Sequence, residues 1–311
     1  MTRDVDLLRI ELGVIWRLDE RGRLPGPEDM VFGVAADGIV AAVSAGVPDP
    51  LADRLLDLAA RGKPSPFGTP PDVLEDCRAL LGGDSVSVSG GPSYAVNPPV
   101  RYDVPVEVLR SDDPAHVRRV RPLRPDNWEP GEWDELCDGG EGAPWAMIVE
   151  HGQTTRHAEP ATHRETARQR EPARHEQAPE GGHGEPATHG EPARQGEPAR
   201  YGEPARHEQA PEGGHIAGHE QAARVSGLAG GRQVVAICHS ARNTPAGAEA
   251  GTWTSPAYRG RGYAAITTAA WAELLPGIQL FYSTSADNHS SQRVAARLGL
   301  RGIGWLWKLT V

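Results

Sequence analysis

The chain has 311 residues, of which 38% are hydrophobic, and its formal net charge at pH 7 is -10. This length allows one large domain or two of ordinary size. Because acidic residues outnumber basic ones, the composition argues against a nucleic-acid binder, which needs clustered lysine and arginine to neutralise phosphates. The three cysteines, Cys77, Cys137 and Cys238, are far apart and odd in number, so neither a disulfide framework nor a CxxC metal site is predicted.

The N-terminal twenty residues carry charges throughout their short apolar patches. No stretch of the chain approaches the roughly 20 apolar residues that are needed to span a bilayer. We therefore expect a soluble, cytoplasmic protein that is not exported and does not use a membrane as a partner.

The first 105 residues are predicted to form an α/β domain of their own. The run MVFGVAADGIVAAVSAG predicts two strands around the tight-turn pair Asp37-Gly38. Helices are predicted over 49–61 and over 71–81, the second closing on a Gly-Gly pair. The runs DSVSVSG and RYDVPVEVLR alternate as strands do. No catalytic spacing stands out, so an accessory domain and a degenerate copy of the second domain both remain open.

Residues 152–230 are predicted to be a low-complexity insert. From Gly184 the chain reads GEPATH GEPARQ GEPARY GEPARH, and RHEQAPEGGH occurs twice. With scarcely an aliphatic side chain larger than alanine, this tract cannot offset ordering costs of roughly 1–2 kcal/mol per residue, and we expect it to be disordered. Its histidines are irregularly spaced, so no metal site is predicted.

The flanks of this insert read as the two strands of one hairpin. APWAMIVEHGQ precedes the insert and GGRQVVAICHS follows it. Because the cost of closing a loop rises only logarithmically with its length, a hairpin tip tolerates such an insertion. A second domain is therefore predicted over 106–311, interrupted at the hairpin tip.

The segment SPAYRGRGYAAI, residues 255–266, lies between a predicted strand and a predicted helix. The first turn of a helix exposes amide groups without internal partners and carries a partial positive charge. Gly260 and Gly262 allow the backbone to approach an anion, and Arg259 and Arg261 add charge that suits phosphate oxygens. The spacing fits neither GxGxxG nor the P-loop, yet it predicts a diphosphate site.

Two motifs carry a family resemblance. RGRGYA follows the Q/R-x-x-G-x-G/A signature of the GNAT superfamily of N-acetyltransferases, and STSADNHSSQRVAARLGL resembles that family's later strand, asparagine loop and helix. The resemblance covers about 120 residues between 117 and 311 once the insert is removed. It implies an α/β (α+β) fold with a mixed, mostly antiparallel sheet flanked by helices. RGIGWLWKLTV would be the closing strand, with Ile303, Trp305, Trp307 and Leu309 on one face.

The resemblance further implies acetyl-CoA as acyl donor, bound without a metal in a cleft between splayed strands. The pantetheine would pair with the strand that ends at Trp253 and Thr254. In the asparagine loop, Asn288 and Ser291 would contact the cofactor, and helix capping is their alternative role. The other implied contacts are in the diphosphate loop, Arg259, Gly260, Arg261, Gly262, Tyr263 and Ala264.

The implied reaction is acetyl transfer to a primary amine by direct attack in a ternary complex, with a small molecule or a protein as acceptor. Glu249 is the first candidate for the general base and His239 the second, because an amine of pKa near 10 is mostly protonated at neutral pH. Many family members carry a proton-donating tyrosine where this chain has Ala295. Solvent or Tyr282 would then protonate the thiolate, or the protein is a catalytically weak, regulatory acyl-CoA-binding module with a disordered partner-binding tether.

Overall fold

A computed structural model describes residues 2–102, 105–151 and 231–311. The predicted insert, 152–230, lies outside the described residues, and so do its repeats. Strands on either side of the insert are paired antiparallel, with His151 opposite Arg232, so the insert joins the two ends of one hairpin.

The described residues form helices and strands that alternate irregularly along the chain. The helices are α1 (Asp4–Trp16), α2 (Asp49–Arg61), α3 (Leu74–Leu81), α4 (Pro114–Val120), α5 (Pro130–Cys137), α6 (Tyr263–Ala272) and α7 (His289–Arg297). The strands are β1 (Met30–Ala35), β2 (Gly38–Val43), β3 (Ser87–Val96), β4 (Leu109–Arg110), β5 (Trp145–His151), β6 (Arg232–Thr244), β7 (Gly247–Thr254), β8 (Gln279–Ser283) and β9 (Arg301–Thr310).

All nine strands belong to one sheet, in the order β2-β1-β9-β3-β8-β7-β6-β5-β4. Neighbouring strands run antiparallel except β7 and β8, which are parallel. Helices pack against the sheet, and the predicted fold class, a mixed and mostly antiparallel sheet flanked by helices, is confirmed.

The first 105 residues do not form a sheet of their own. They supply β1, β2 and β3, and β3 lies between β9 and β8, which come from the C-terminal end of the chain. The structure therefore differs from the predicted boundary between 1–105 and 106–311, which runs through a single sheet. A composition-based boundary misses this arrangement because strand pairing between distant segments leaves no local signal.

Local predictions match the structure where the signal is short-ranged. Helix α2 spans the predicted 49–61, whereas α3 begins at Leu74, after two prolines. Helix α1 has no capping side chain of its own at Arg3, and its first amides, on Asp4 and Val5, donate to the Asp37 carboxylate at 3.0 Å. That cap comes from the β1–β2 turn, and the sequence therefore showed no start signal for α1.

The closing strand β9 carries an irregularity that changes its faces. The β3–β9 register shifts between Ser93 and Tyr94, opposite the Gly302–Gly304 stretch. As a result Ile303 packs with α1, while Trp307 and Leu309 pack on the other face with α2 and α3. The prediction of a single face for these residues is wrong because a bulge breaks the two-residue alternation.

Strands β7 and β8 form a fork in the sheet. Their parallel pairing covers only Gly247, Ala248 and Glu249 of β7, so from residue 250 to 254 the edge of β7 that faces β8 has no strand partner. Helices α6 and α7 contribute to the core on one face of the fork, and α1 packs on the other. We call these the helix-pair face and the α1 face.

Candidate active site

The loop between β7 and α6 turns on two glycines with left-handed backbone angles. Gly260 has φ +79 and Gly262, the N-cap of α6, has φ +84. Backbone amides of residues 260–265 donate to no acceptor within the described part of the chain. Six consecutive unpaired amides at a helix start are donors of the kind that can bind an anion.

Gly262 also has a steric role. A Cβ at this position would lie 2.4 Å from the Tyr102 hydroxyl oxygen and 3.1 Å from a terminal nitrogen of Arg297. At Gly260, by contrast, a Cβ would meet open space. The Arg297 guanidinium carbon lies 5.0 Å from the centre of the Tyr102 ring, which holds this cation against the loop.

Two tyrosines anchor the loop to the β5–β6 hairpin. The buried Tyr258 hydroxyl accepts from Gln233 at 3.1 Å and donates to the carbonyl of His151 at 3.0 Å. The Tyr263 hydroxyl donates to the Glu150 carboxylate at 2.7 Å. The amides are thus held in place before any ligand arrives.

The loop opens onto a cavity of about 880 Å³. Strand β7, the loop, α6 and α7 all contribute to its wall. Most of the predicted ligand-contacting residues line it, namely Trp253, Thr254, Arg259, Gly260, Gly262, Tyr263, Ala264, Asn288 and Ser291. Arg261 does not line the cavity; its guanidinium carbon lies 4.7 Å from the centre of the Tyr258 ring.

The cavity wall includes cations that sequence reasoning missed. Arg293 and Arg297 line it from α7, and both side chains are exposed. Their spacing of four residues places them on one side of a helix, a signal that was present in QRVAAR. Together with Arg259 they give a positively charged cavity in a chain whose overall charge is negative.

The asparagine loop combines capping with exposure to the cavity. Asn288 is the N-cap of α7, and its side-chain oxygen accepts from the amide of Ser291 at 3.1 Å. The capping role is therefore carried by Asn288 itself, not by a serine. Both residues still line the cavity.

Strand β7 presents hydrogen-bonding groups to the same cavity. Its β8-facing edge is unpaired from 250 to 254, and the Thr254 hydroxyl is buried without a partner among the described residues. An extended ligand with amide groups can therefore pair with this edge as an additional strand would.

Glu249 lies at the point of the fork, with 6% of its surface exposed. One carboxylate oxygen accepts from the Ser283 amide at 2.6 Å and from the Ser283 hydroxyl at 2.7 Å. The second oxygen is buried and has no partner within the described ranges. Burial raises the pKa of Glu249 from 4.5 to about 7, against the opposing effect of the Ser283 hydrogen bonds.

The helix-pair face carries a buried tyrosine beside the cavity. Tyr282 is 2% exposed, and its hydroxyl has no hydrogen-bond partner in the described structure, although it lies near Thr252 and Ser291 of the cavity wall. Burial raises its pKa, which keeps the phenol protonated at neutral pH. Ala295 belongs to the same core cluster as Tyr282.

His239 stands apart from the cavity wall. Its ring packs edge-on against Trp128, with a centroid distance of 5.3 Å, and its Nδ1 is buried without a described partner. Desolvation lowers its pKa to about 4, so the imidazole is neutral at physiological pH. It lies opposite Gly251 of β7, two residues from Glu249.

Within the described ranges no cluster of three or more His, Cys, Asp or Glu side chains is arranged to hold a metal ion. No helix in that same part of the chain has the length and hydropathy required to cross a membrane.

Comparisons with known proteins agree with the family resemblance. Residues 185–301 match the family model of the acetyltransferase (GNAT) domain. No curated protein matches the chain significantly.

Three solved structures are similar to the chain. A protein described as an acetyltransferase of the GNAT family from Novosphingobium aromaticivorans is 16% identical, with 92% of this chain and 86% of that chain covered and a TM-score of 0.34. An acetyltransferase from the GNAT family of Colwellia psychrerythraea is 11% identical, with 99% and 96% covered and a TM-score of 0.37. A GCN5-related N-acetyltransferase-like protein from Streptococcus suis is 28% identical over 25% of this chain and 31% of that chain, with a TM-score of 0.22.

The matched region contains the unpaired amides of the loop, the strands β7 and β8 that form the fork, and the asparagine loop. This match confirms the resemblance predicted from RGRGYA and the asparagine loop: residues 185–301 are similar to the GNAT acetyltransferase domain.

Proposed function

We propose that this protein is an N-acetyltransferase that transfers the acetyl group of acetyl-CoA to a primary amine in a ternary complex. The observation that carries the proposal is the run of unpaired amides at 260–265, which opens onto a positively charged cavity beside an unpaired strand edge. A diphosphate suits the amides, and a pantetheine arm suits the edge of β7.

Each element of the cavity has a proposed partner on the donor. The amides of Gly260 to Ala264, with Arg259, bind the diphosphate. Arg293 and Arg297 bind the remaining phosphate charge. The backbone at Trp253 and Thr254 pairs with pantetheine amides, and Asn288 and Ser291 contact the donor where α7 begins.

The reaction is proposed to occur at the fork. The neutral amine attacks the thioester carbonyl carbon, so that a C–N bond forms and the C–S bond breaks. Glu249 takes the proton that the amine nitrogen loses, directly or through water, and a pKa near 7 suits this role at neutral pH. His239 of β6 remains the second candidate base: its imidazole is neutral, and it lies opposite Gly251, two residues after Glu249 on β7.

Tyr282 is the proposed proton donor to the departing thiolate. Its hydroxyl is protonated, unpartnered within the described residues and adjacent to cavity-lining Thr252 and Ser291. In this arrangement Tyr282, on strand β8, donates the proton that the family resemblance assigns to a tyrosine at the position of Ala295. After each turnover Glu249 releases its proton and Tyr282 regains one, so no net proton is consumed by the enzyme.

The alternative function is a catalytically weak acyl-CoA-binding module, which the burial of Ala295 in the core favours. Calorimetry with CoA and with pantetheine tests the loop, because the diphosphate contacts predict far tighter binding of CoA. Thiol release from acetyl-CoA against a panel of small amines and peptides then separates the two functions. An enzyme releases thiol above background with at least one amine, whereas a binding module takes up CoA and releases none.

A further inference from the structure

A second buried carboxyl group lies on the α1 face of the fork. Glu11 of α1 is 0% exposed, and one of its oxygens accepts from the Ser93 hydroxyl at 2.5 Å. The other oxygen is buried and has no partner among the described residues. No arginine, lysine or histidine of the described ranges forms an ion pair with it.

Glu11 and Glu249 are joined through a pair of serines. Ser93 of β3 and Ser283 of β8 are direct register partners, and each donates its hydroxyl to one of the two carboxyl groups. Each carboxyl group therefore has one oxygen held by serine and one buried oxygen left unpaired. Residues more than 230 positions apart in the chain build one polar cluster inside an apolar core.

The surroundings of the cluster contain little that could stabilise two negative charges. The groups that interact electrostatically with the cluster include Arg242 of β6, whose guanidinium is exposed. Cys238 and Tyr282 also interact with Glu249, but burial raises the pKa of both, so both are neutral at physiological pH. His239, also on β6, is uncharged above about pH 4. The remaining elements that pack on α1 bring apolar side chains, among them Val31, Ala35, Ala42, Ile303 and Leu306.

Two carboxylates without a buried cation cannot both be charged here at moderate cost, because burial and mutual repulsion each disfavour the second charge. Both effects raise the pKa of Glu11, burial the most and the Glu249 charge next. Glu249 has two donors on one oxygen, including a backbone amide, and therefore ionises first.

We propose that Glu11 and Glu249 form an electrostatically coupled carboxyl pair, in which Glu11 remains a carboxylic acid while Glu249 alternates between acid and carboxylate. Glu11 is thus a positioning residue that acts through Glu249 and Ser93 and keeps the cluster at one negative charge. The N-terminal stretch, which lies outside the region matched to the GNAT domain, supplies half of this pair.

The consequence for the reaction rests on the proposed role of Glu249, but the protonation state of Glu11 does not. A neutral Glu11 permits Glu249 to lose its proton near neutral pH, because no second charge opposes that loss. Apparent pKa values measured for the cluster belong to the pair, and the first proton lost is assigned to Glu249.

The test is the number of protons linked to unfolding. A carboxyl group that is protonated in the fold and ionised when unfolded lowers stability as pH rises above its unfolded pKa, with a slope of one proton. Urea unfolding of the wild type, Glu11→Gln and the exposed control Glu20→Gln is measured between about pH 5.5 and pH 8.5, a range that lies above the ordinary glutamate pKa. We expect the free energy of unfolding to have the same pH dependence in the wild type and in Glu20→Gln. In Glu11→Gln the slope should be smaller by the equivalent of one proton.

Parallel slopes for the wild type and Glu11→Gln would show that Glu11 is ionised in the fold, and would overturn the proposal. If Glu11→Gln does not fold, infrared spectroscopy of the wild type with isotope-labelled glutamate decides the question at about pH 9, where Glu249 is ionised. A protonated glutamate band supports the pair, and its absence overturns it.

Activity adds a second readout. The apparent pKa of the acid limb of the kcat/KM profile is expected to be nearly the same in Glu11→Gln as in the wild type. A decrease of that apparent pKa by one unit or more contradicts a neutral Glu11. Absence of any acetyl transfer would sink the proposed function while leaving the unfolding result intact.

Discussion

The two faces of the fork both carry unsatisfied hydrogen-bonding groups, but of opposite kinds. On the helix-pair face the unpaired groups include donors: the amides of residues 260–265 and the hydroxyl of Tyr282. On the α1 face they include acceptors, one oxygen of Glu11 and one of Glu249. The donors at the loop border a cavity of about 880 Å³, whereas the acceptors are enclosed in the core.

The two faces of one sheet therefore suit different ligands. Open donors with nearby arginines suit a large, flexible anion that must enter and leave. Enclosed acceptors without a buried cation suit a proton, because burial disfavours the charged form of a carboxyl group. Glu249 is the last residue of β7 that pairs with β8, so it lies where the fork opens.

Removing the Glu249 carboxylate at the fork is expected to have the largest effect on catalysis. Glu249→Gln should lower kcat/KM by about 100-fold or more, in the range typical for loss of a general base, while the Kd for CoA changes little. In the wild type kcat/KM should fall about tenfold per unit as pH drops below about 7, because the raised pKa leaves Glu249 protonated there.

Steady-state kinetics across pH check this prediction, with Glu141→Gln as the control. Glu141 is exposed and pairs with Arg17 at the surface, so its loss should leave kcat/KM unchanged. An unaltered rate and pH profile in Glu249→Gln would remove the carboxylate from the mechanism and bring His239 forward.

Removing the donor hydroxyl on the other face should have the next largest effect. Tyr282→Phe is expected to lower kcat by about 10- to 100-fold without weakening CoA binding, as expected for loss of a proton donor. Thermal stability should be maintained, because the buried hydroxyl has no partner to lose.

Tyr94→Phe is the matched control, since Tyr94 is the register partner of Tyr282 on β3. Single-turnover thiol release separates the chemical step from product release. Full activity in Tyr282→Phe would assign thiolate protonation to solvent.

The geometry of the loop can be tested with two glycines that both have a positive φ. Alanine at either position meets the left-handed penalty of roughly 1–2 kcal/mol, but only Gly262→Ala also meets Tyr102 and Arg297. We expect Gly262→Ala to bind CoA about tenfold more weakly than Gly260→Ala, as measured by calorimetry. Equal affinities would show that the close approach at Gly262 is irrelevant to binding.

The smallest effect is expected from a single exposed cation of the cavity. Arg297→Gln should weaken CoA binding by about three- to tenfold, because an exposed charge contributes little in water, and the effect should shrink as salt rises. Arg301→Gln removes a charge of the same sign outside the cavity, where it pairs with Asp4. A similar loss in both variants would indicate a general field, not a contact.

Much of the helix-pair face could be predicted from the sequence because its signals are local. Gly260 and Gly262 lie in the loop, and residues from Trp253 to Ala264 are close in the chain to the helix whose amides they surround. The cations on α7 could have been read from their helical spacing. Glu249 could be placed on a strand, but its burial and its bonds to Ser283 depend on β8, which lies 30 residues further along the chain.

The strand, the glycine turn and the helix start follow from the amino-acid sequence alone, since backbone preferences and hydrogen bonds within a few residues decide them. The sequence also determines, through the run of apolar residues on each side of 152–230, that two strands flank the insert. Folding of the whole chain places β3 between β9 and β8, brings Asp37 to the start of α1, and brings Ser93, which binds Glu11, opposite Ser283, which binds Glu249. Those features depend on pairing between distant segments, which is selected by burial of the whole sheet and not by any residue's neighbours in the chain.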